Sequence, residues 1–240
     1  MGRRRKYTFL AVCLIPCVMS FSYAGVEDNM IHERDLQEGK IIVTRPESAD
    51  PHVLCGRVAG IIDAPIDLVW MALSDYNHFH QFLPRLPVTF IVDKNVMVEI
   101  NKKPQWNRQE LESMLSRHRL HTLNSDTVYF YNVLDMPFPV GDRWYLLKMI
   151  REPEKYTVHW SIVTGNMVVN DGSWELTPCS DDPSHTLAVY TTCSDSGVNL
   201  PKFIINIGMK KSLPGIITGL RGRVHQMKKE WVKILSKMNL

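Results

Sequence analysis

From residue 120 to residue 194 the chain is cut by turn residues into strand-length apolar runs, and this rhythm restricts the fold more than any other feature. The runs fall at about 120–123, 127–134, 143–151, 156–163, 172–178 and 185–194. Several are separated by turn formers: Asn124-Ser125-Asp126, Glu152-Pro153-Glu154, Asn170-Asp171-Gly172 and Asp181-Asp182-Pro183. Connections this short suit antiparallel neighbours, so the spacing predicts a meander.

The flanking segments complete the pattern. "KIIVTR" at 40–45 reads as a short strand and "HVLCGRVAGIID" at 52–63 as a longer one. Asp63 is placed to cap a helix, with Pro65 in its first turn and Leu68, Val69, Ala72 and Leu73 at helical spacing, ending near Tyr76. A short helical turn follows with Phe79 and Phe82, stopped by Pro84. Residues 88–100 alternate as strands do. The stretch 107–119 reads as a polar helix or an inserted arm striped by Leu111, Met114 and Leu115. The last element is a long helix capped by Asn199, with Pro201 in its first turn and an apolar face of Phe203, Ile204, Ile207, Leu213, Ile216, Ile217 and Leu220. Pro214 stands inside it, where a proline costs about 3 kcal/mol and bends the axis. Together these elements predict an α+β fold, a curved antiparallel sheet wrapped around one long C-terminal helix. Such an arrangement encloses a volume.

The first 24 residues are expected to be an export signal. Arg3, Arg4, Arg5 and Lys6 precede an apolar stretch over 7–21, and Ser22-Tyr23-Ala24 offers small residues for cleavage. A polar segment then fills 25–38, and the domain spans 39–238. Without the leader, 24 basic residues stand against 25 acidic ones, a formal net charge of −1. The distribution is uneven: residues 202–240 hold nine Lys and Arg and a single acid, Glu230, so the carboxyl-terminal helix is basic and the body acidic. Of the five cysteines, Cys55, Cys179 and Cys193 remain, which allows at most one internal bridge. A Cys179–Cys193 disulfide and three buried thiols both fit this count.

Common catalytic signatures are absent: there is no G-x-S-x-G, P-loop, H-E-x-x-H, G-x-G-x-x-G or paired C-x-x-C. His118 and His121 share helical spacing, but no carboxylate motif accompanies them. Neither a cofactor, a metal nor a nucleic acid is implied. Period-two alternation instead gathers Tyr145, Leu147 and Met149 with Tyr156, Val158, Trp160, Ile162, Trp174 and Leu176 into one apolar face, and leaves His159 outside. For Tyr190 either face is open.

Four segments resemble the START-like superfamily, which includes START lipid-transfer domains, polyketide cyclases and coenzyme Q-binding proteins. "GKIIVTR" at 39–45 is similar to its opening strand, and "APIDLVWMALSDYNHFHQFLP" at 64–84 to its first helix pair. "MPFPVGDRW" at 136–144 is similar to an LPFPLxDR corner in family members, and "NLPKFIINIGMKKSLPGIITGLRGRV" at 199–224 to the closing helix. The resemblance spans about residues 31–235 and implies a helix-grip fold with a cavity between sheet and helix. It implies a hydrophobic ligand, whether a lipid, a sterol-like molecule or an isoprenoid, exchanged with a membrane. The residues expected at that cavity are Phe138, Arg143, Tyr145, Leu147, Met149, Tyr156, Val158, Trp160, Trp174 and Leu176 from the sheet, and Phe203, Ile207, Ile216 and Leu220 from the helix. Phe138 fits either the mouth or the packed corner. Arg143 fits either an ion pair with Asp142 or another carboxylate, or a contact with a ligand's polar head. A cyclase or dehydratase acting on a polyketide or related compound in the same cavity is the alternative, and it requires inward polar residues such as Tyr190, Arg143 or Asn132 to converge there. A filled core with no cavity is the third reading. Lys210, Lys211, Arg221, Arg223, Lys228 and Lys229 suggest contact with an anionic membrane surface. Export implies a periplasmic or secreted protein.

Overall fold

A computed structural model describes residues 33–123, 125–136, 138, 140–198 and 202–238, without the side chains of 33, 34, 202–209 and 238. The expected leader at 1–24, the helix start at Asn199 and Pro201, and the corner prolines 137 and 139 lie outside the described residues.

In chain order the elements are α1 Glu33–Gln37, β1 Ile42–Thr44, β2 Leu54–Ile62, α2 Ile66–Leu73, α3 Phe79–Phe82, β3 Val88–Val92, α4 Val96–Ile100, α5 Arg108–Ser116 and β4 Arg119–Leu120. There follow β5 Thr127–Leu134, β6 Arg143–Glu152, β7 Thr157–Gly165, β8 Val169–Pro178, β9 Thr186–Asp195 and α6 Lys202–Met238. The nine strands form one sheet in the order β1-β2-β9-β8-β7-β6-β5-β3-β4. Every neighbouring pair is antiparallel. The run from β5 to β9 is a plain meander, as the turn spacing requires. β2 returns to pair with β9, and β1 and β4 form short edges.

Alternation then sorts side chains onto two faces. On the concave face, Val58, Ile62, Val128, Phe130, Tyr145, Leu147, Met149, Val158, Trp160, Trp174, Leu176 and Ala188 pack with Val69, Ala72 and Leu73 of α2 and with Leu213, Ile217, Leu220 and Val224 of α6. On the convex face, Phe90, Val92, Tyr131, Val133 and Leu146 meet Val96 and Ile100 of α4 and Leu111, Met114 and Leu115 of α5. A smaller cluster on that side seats Leu36 of α1 on Ala59 and Val189.

Several local expectations need correction. The stretch 88–100 is a strand followed by a helix, because Val96 and Ile100 stand four apart and reach the convex core as a helical pair. Residues 107–119 are mostly α5, whose Asn107 side chain accepts a hydrogen bond from the Glu110 amide at 2.9 Å and caps it. Asp63 does not cap α2, which begins after Pro65 with no side-chain cap and ends at Leu73. Asp63 instead stands 3.4 Å from the Lys228 ammonium. The helix α6 runs through Pro214 without a break. The bridge is Cys55–Cys193, with Cα atoms 4.0 Å apart, and Cys179 is free. Cys55 and Cys193 face each other in the β2–β9 register, whereas Cys179 lies beyond the end of β8.

Candidate functional site

The sheet and α6 do not close on each other along their whole length. Between them lies a cavity of about 350 Å³, within the range of small-molecule sites. The filled-core reading expects no cavity larger than a few waters, and this one is larger.

The wall is built by alternate residues of consecutive strands. β5 contributes Phe130, Asn132 and Leu134, and β6 contributes Arg143, Tyr145, Leu147 and Met149. Trp160 of β7, Trp174 of β8 and Tyr190 of β9 complete an aromatic wall. Trp160 stacks on Tyr190 with centroids 5.3 Å apart, and Tyr190 meets Trp174 edge-on at 4.9 Å. This wall depends on Gly172: a Cβ there would lie 2.3 Å from the Trp160 ring, so only glycine lets the indole cross β8. The indole N–H donates to Asn170 Oδ1 at 3.2 Å, which fixes the ring. Phe79, Leu83, Pro84 and Leu86 close one side, and Ser212, Leu213 and Ile216 of α6 form the roof.

Of the residues expected from sequence, Phe138, Arg143, Tyr145, Leu147, Met149, Trp160, Trp174 and Ile216 line this cavity. Phe138 is 97% exposed at the mouth, which excludes the packed-corner reading. Four expected residues do not reach it. Val158, Leu176 and Leu220 are buried in the packed part of the concave core. Tyr156, displaced by a left-handed backbone at φ 52°, packs edge-on against Trp70 and donates to Asp67 at 2.5 Å. The side chains of Phe203 and Ile207 lie outside the described residues. Sequence reasoning missed the segment Leu83 to Leu86, Phe130, Leu134, Met167 and Asn170. Pro84 was read only as a helix stop, and β5 is apolar on both faces.

Tyr190, Arg143 and Asn132, polar groups of the kind a catalytic reading requires, all line the cavity. Burial pushes the Tyr190 hydroxyl up to about 12 and raises that of Tyr145 well above the ordinary tyrosine value. Both stay protonated near neutral pH and do not act as bases there. Arg143 makes no ion pair with Asp142. The Asp142 carboxylate is drawn to the convex side by Arg108 of α5, 2.9 Å away, while Arg143 Nη1 donates only to the Asp142 carbonyl at 3.2 Å. Among the described residues there is no cluster of three or more metal-ligating side chains, and His118 is occupied by Glu99 at 3.1 Å.

No family model matches the sequence, and no curated protein matches it significantly. Solved structures do match. A STAR-related lipid transfer protein fragment from Xanthomonas axonopodis aligns with a TM-score of 0.57 and 16% identity, over 77% of this chain and 93% of that one. The Zhui aromatase/cyclase from Streptomyces sp. R1128 aligns at 0.52 and 12%, over 73% and 95%. Human StAR-related lipid transfer protein 5 aligns at 0.52 and 12%, over 79% and 84%. With its curved antiparallel sheet, its cavity and its long C-terminal helix, this chain has the helix-grip fold that these three structures share.

Proposed function

We propose that this protein is an exported binder that holds a hydrophobic ligand between the sheet and α6 and exchanges it with a membrane. The observation that carries the reading is the cavity itself, about 350 Å³ of space walled by Phe79, Phe130, Tyr145, Trp160, Trp174 and Tyr190 in an otherwise close-packed domain. The lipid-transfer and cyclase names of the structural neighbours fit an apolar occupant. Among the described lining residues the buried ones offer a cyclase no neutral-pH base, since the tyrosines are held protonated, and this favours binding over catalysis. His52 and Asp195, which also line it, belong to the rim.

Membrane contact is supported by the end of α6. Trp231, Ile234 and Leu235 are exposed at helical spacing, interleaved with the exposed Lys229, Lys233 and Lys237. Each lysine contributes about 1 kcal/mol near an anionic surface. Three of the cations expected there are committed elsewhere: Arg221 to the carbonyls of Ile61 and Gly39, Arg223 to Asp75 at 2.6 Å, and Lys228 to Asp63. No described helix is long and apolar enough to cross a membrane. Export rests on the basic and apolar pattern of residues 1–24, and the Cys55–Cys193 bridge suits an oxidising compartment.

The test is native mass spectrometry of the protein purified from its own host, followed by extraction of what co-purifies. A lipid or isoprenoid at one equivalent is the expected result. Protein that carries nothing and also binds no member of a panel of fatty acids, sterols and isoprenols would refute the reading.

A further inference from the structure

The cavity is apolar over most of its wall, but one polar group in it is a charge without a counterion. Arg143 points into the concave face, opposite Leu134 in the β5–β6 register and two residues before Tyr145. It is 8% exposed. Its Nη1 is used by the Asp142 carbonyl, and its Nε is buried with no partner. The adjacent carboxylate cannot serve, because Arg108 holds Asp142 on the other side of the sheet. Among the described lining residues the only carboxylate is Asp195, at the end of β9. β9 and β6 are three strands apart in the sheet order, or about 14 Å along it. Arg85, also at the cavity, is exposed and solvated.

A guanidinium does not neutralise itself by losing its proton, and a buried charge without a partner is costly. The free edge of this one, Nε with Nη2, is the fork that matches the two oxygens of a carboxylate. Beside it, Asn132 is 2% exposed, its Oδ1 has no partner, and its amide nitrogen reaches the Phe130 carbonyl only at 3.5 Å. Asn132 pairs with Tyr145 in the register, so it stands diagonal to Arg143 on the same face. Two unsatisfied polar side chains thus mark one place on the apolar wall.

Resting on the ligand-binding reading above, we propose that the ligand is an amphipathic acid, with its apolar body along the aromatic wall and an anionic head of carboxylate size on the free edge of Arg143, next to Asn132. A wholly neutral ligand would leave the charge buried and uncompensated. An acid supplies the counterion that the fold has placed out of reach.

The test is displacement of Nile red, a neutral probe, from the mature protein at mildly alkaline pH by dodecanoic acid and by 1-dodecanol, which share a chain and differ at the head. The expected result is an acid affinity about tenfold or more above that of the alcohol. Arg143→Gln should bring the two affinities within about twofold of each other, and Arg143→Lys should keep a reduced preference for the acid. Asn132→Asp places a carboxylate within the site and should also abolish the preference, which decides the matter if Arg143→Gln does not fold. Equal displacement by acid and alcohol in the unaltered protein, or a preference that survives both Arg143→Gln and Asn132→Asp, overturns the proposal and leaves the cavity reading standing. Failure to bind Nile red, acid and alcohol alike overturns the cavity reading and the proposal with it.

Discussion

At Gly219 the axis of α6 presses directly on α3: a Cβ there would lie 1.9 Å from the carbonyl oxygen of Phe82, while at Gly222, one turn later, it would meet nothing. Helix propensity favours alanine over glycine at both positions by about 1 kcal/mol, so only contact separates them. Gly219→Ala is expected to destabilise the fold by about 1–3 kcal/mol and Gly222→Ala to stabilise it by up to ~1 kcal/mol, read from urea unfolding. The buried tyrosines set a second expectation. Burial raises the hydroxyls of Tyr76 and Tyr190 from 10.0 to about 12. The unfolded chain releases these protons near 10.0 and the folded one holds them to about 12, so their contribution to stability is unchanged below pH 10 and falls between 10 and 12. Urea midpoints against pH, with tyrosinate absorbance recorded alongside, check this; titration of both hydroxyls near 10.0 in folded protein would contradict it. The sequence left Tyr190 on either face because Val189 next to it is also covered, by Leu36 of α1. Alternation reports an inner face only when the other face is wet.

The same ambiguity explains which elements were legible. The bounds of β5 and β6 follow from the turns that flank them, and those of α3 from Pro84. The helix α4 was read as strand because residues 96–100 alternate as acceptably as they repeat, and α1 gave no periodic signal in five residues. The disulfide was beyond reach for another reason. Its partners are separated by 138 positions, and only the β2–β9 register brings them opposite. Replacing both Cys55 and Cys193 by serine should cost about 2–4 kcal/mol in chemical denaturation, while Cys179→Ser changes stability little. The helix α5 supports the opposite side of the sheet from the cavity. Leu111→Ala removes a fully buried side chain from the convex core and should cost roughly 2–5 kcal/mol. Nile red affinity of the folded protein should stay unchanged in that variant; a parallel loss of binding would show that the two faces are coupled.

Over the whole molecule, α6 is the longest element, 37 residues or about 55 Å, and residues 231–237 at its end are exposed throughout. Replacing Trp231, Ile234 and Leu235 together by serine should reduce sedimentation with vesicles rich in phosphatidylglycerol several-fold, and do less on vesicles of phosphatidylcholine alone, which offer no charge to the lysines. Equal binding by the unaltered and triple-serine proteins would refute membrane contact through this end of α6. The two interiors on either side of the sheet also bear on how such a protein diverges. Side chains that border a void have fewer neighbours to lose when they change, while the convex interior, closed by α4 and α5, packs β3, β5 and β6 from the other side. Drift at those positions therefore costs a lineage less of its foldedness than drift in the convex interior, and what changes first is the shape of the cavity.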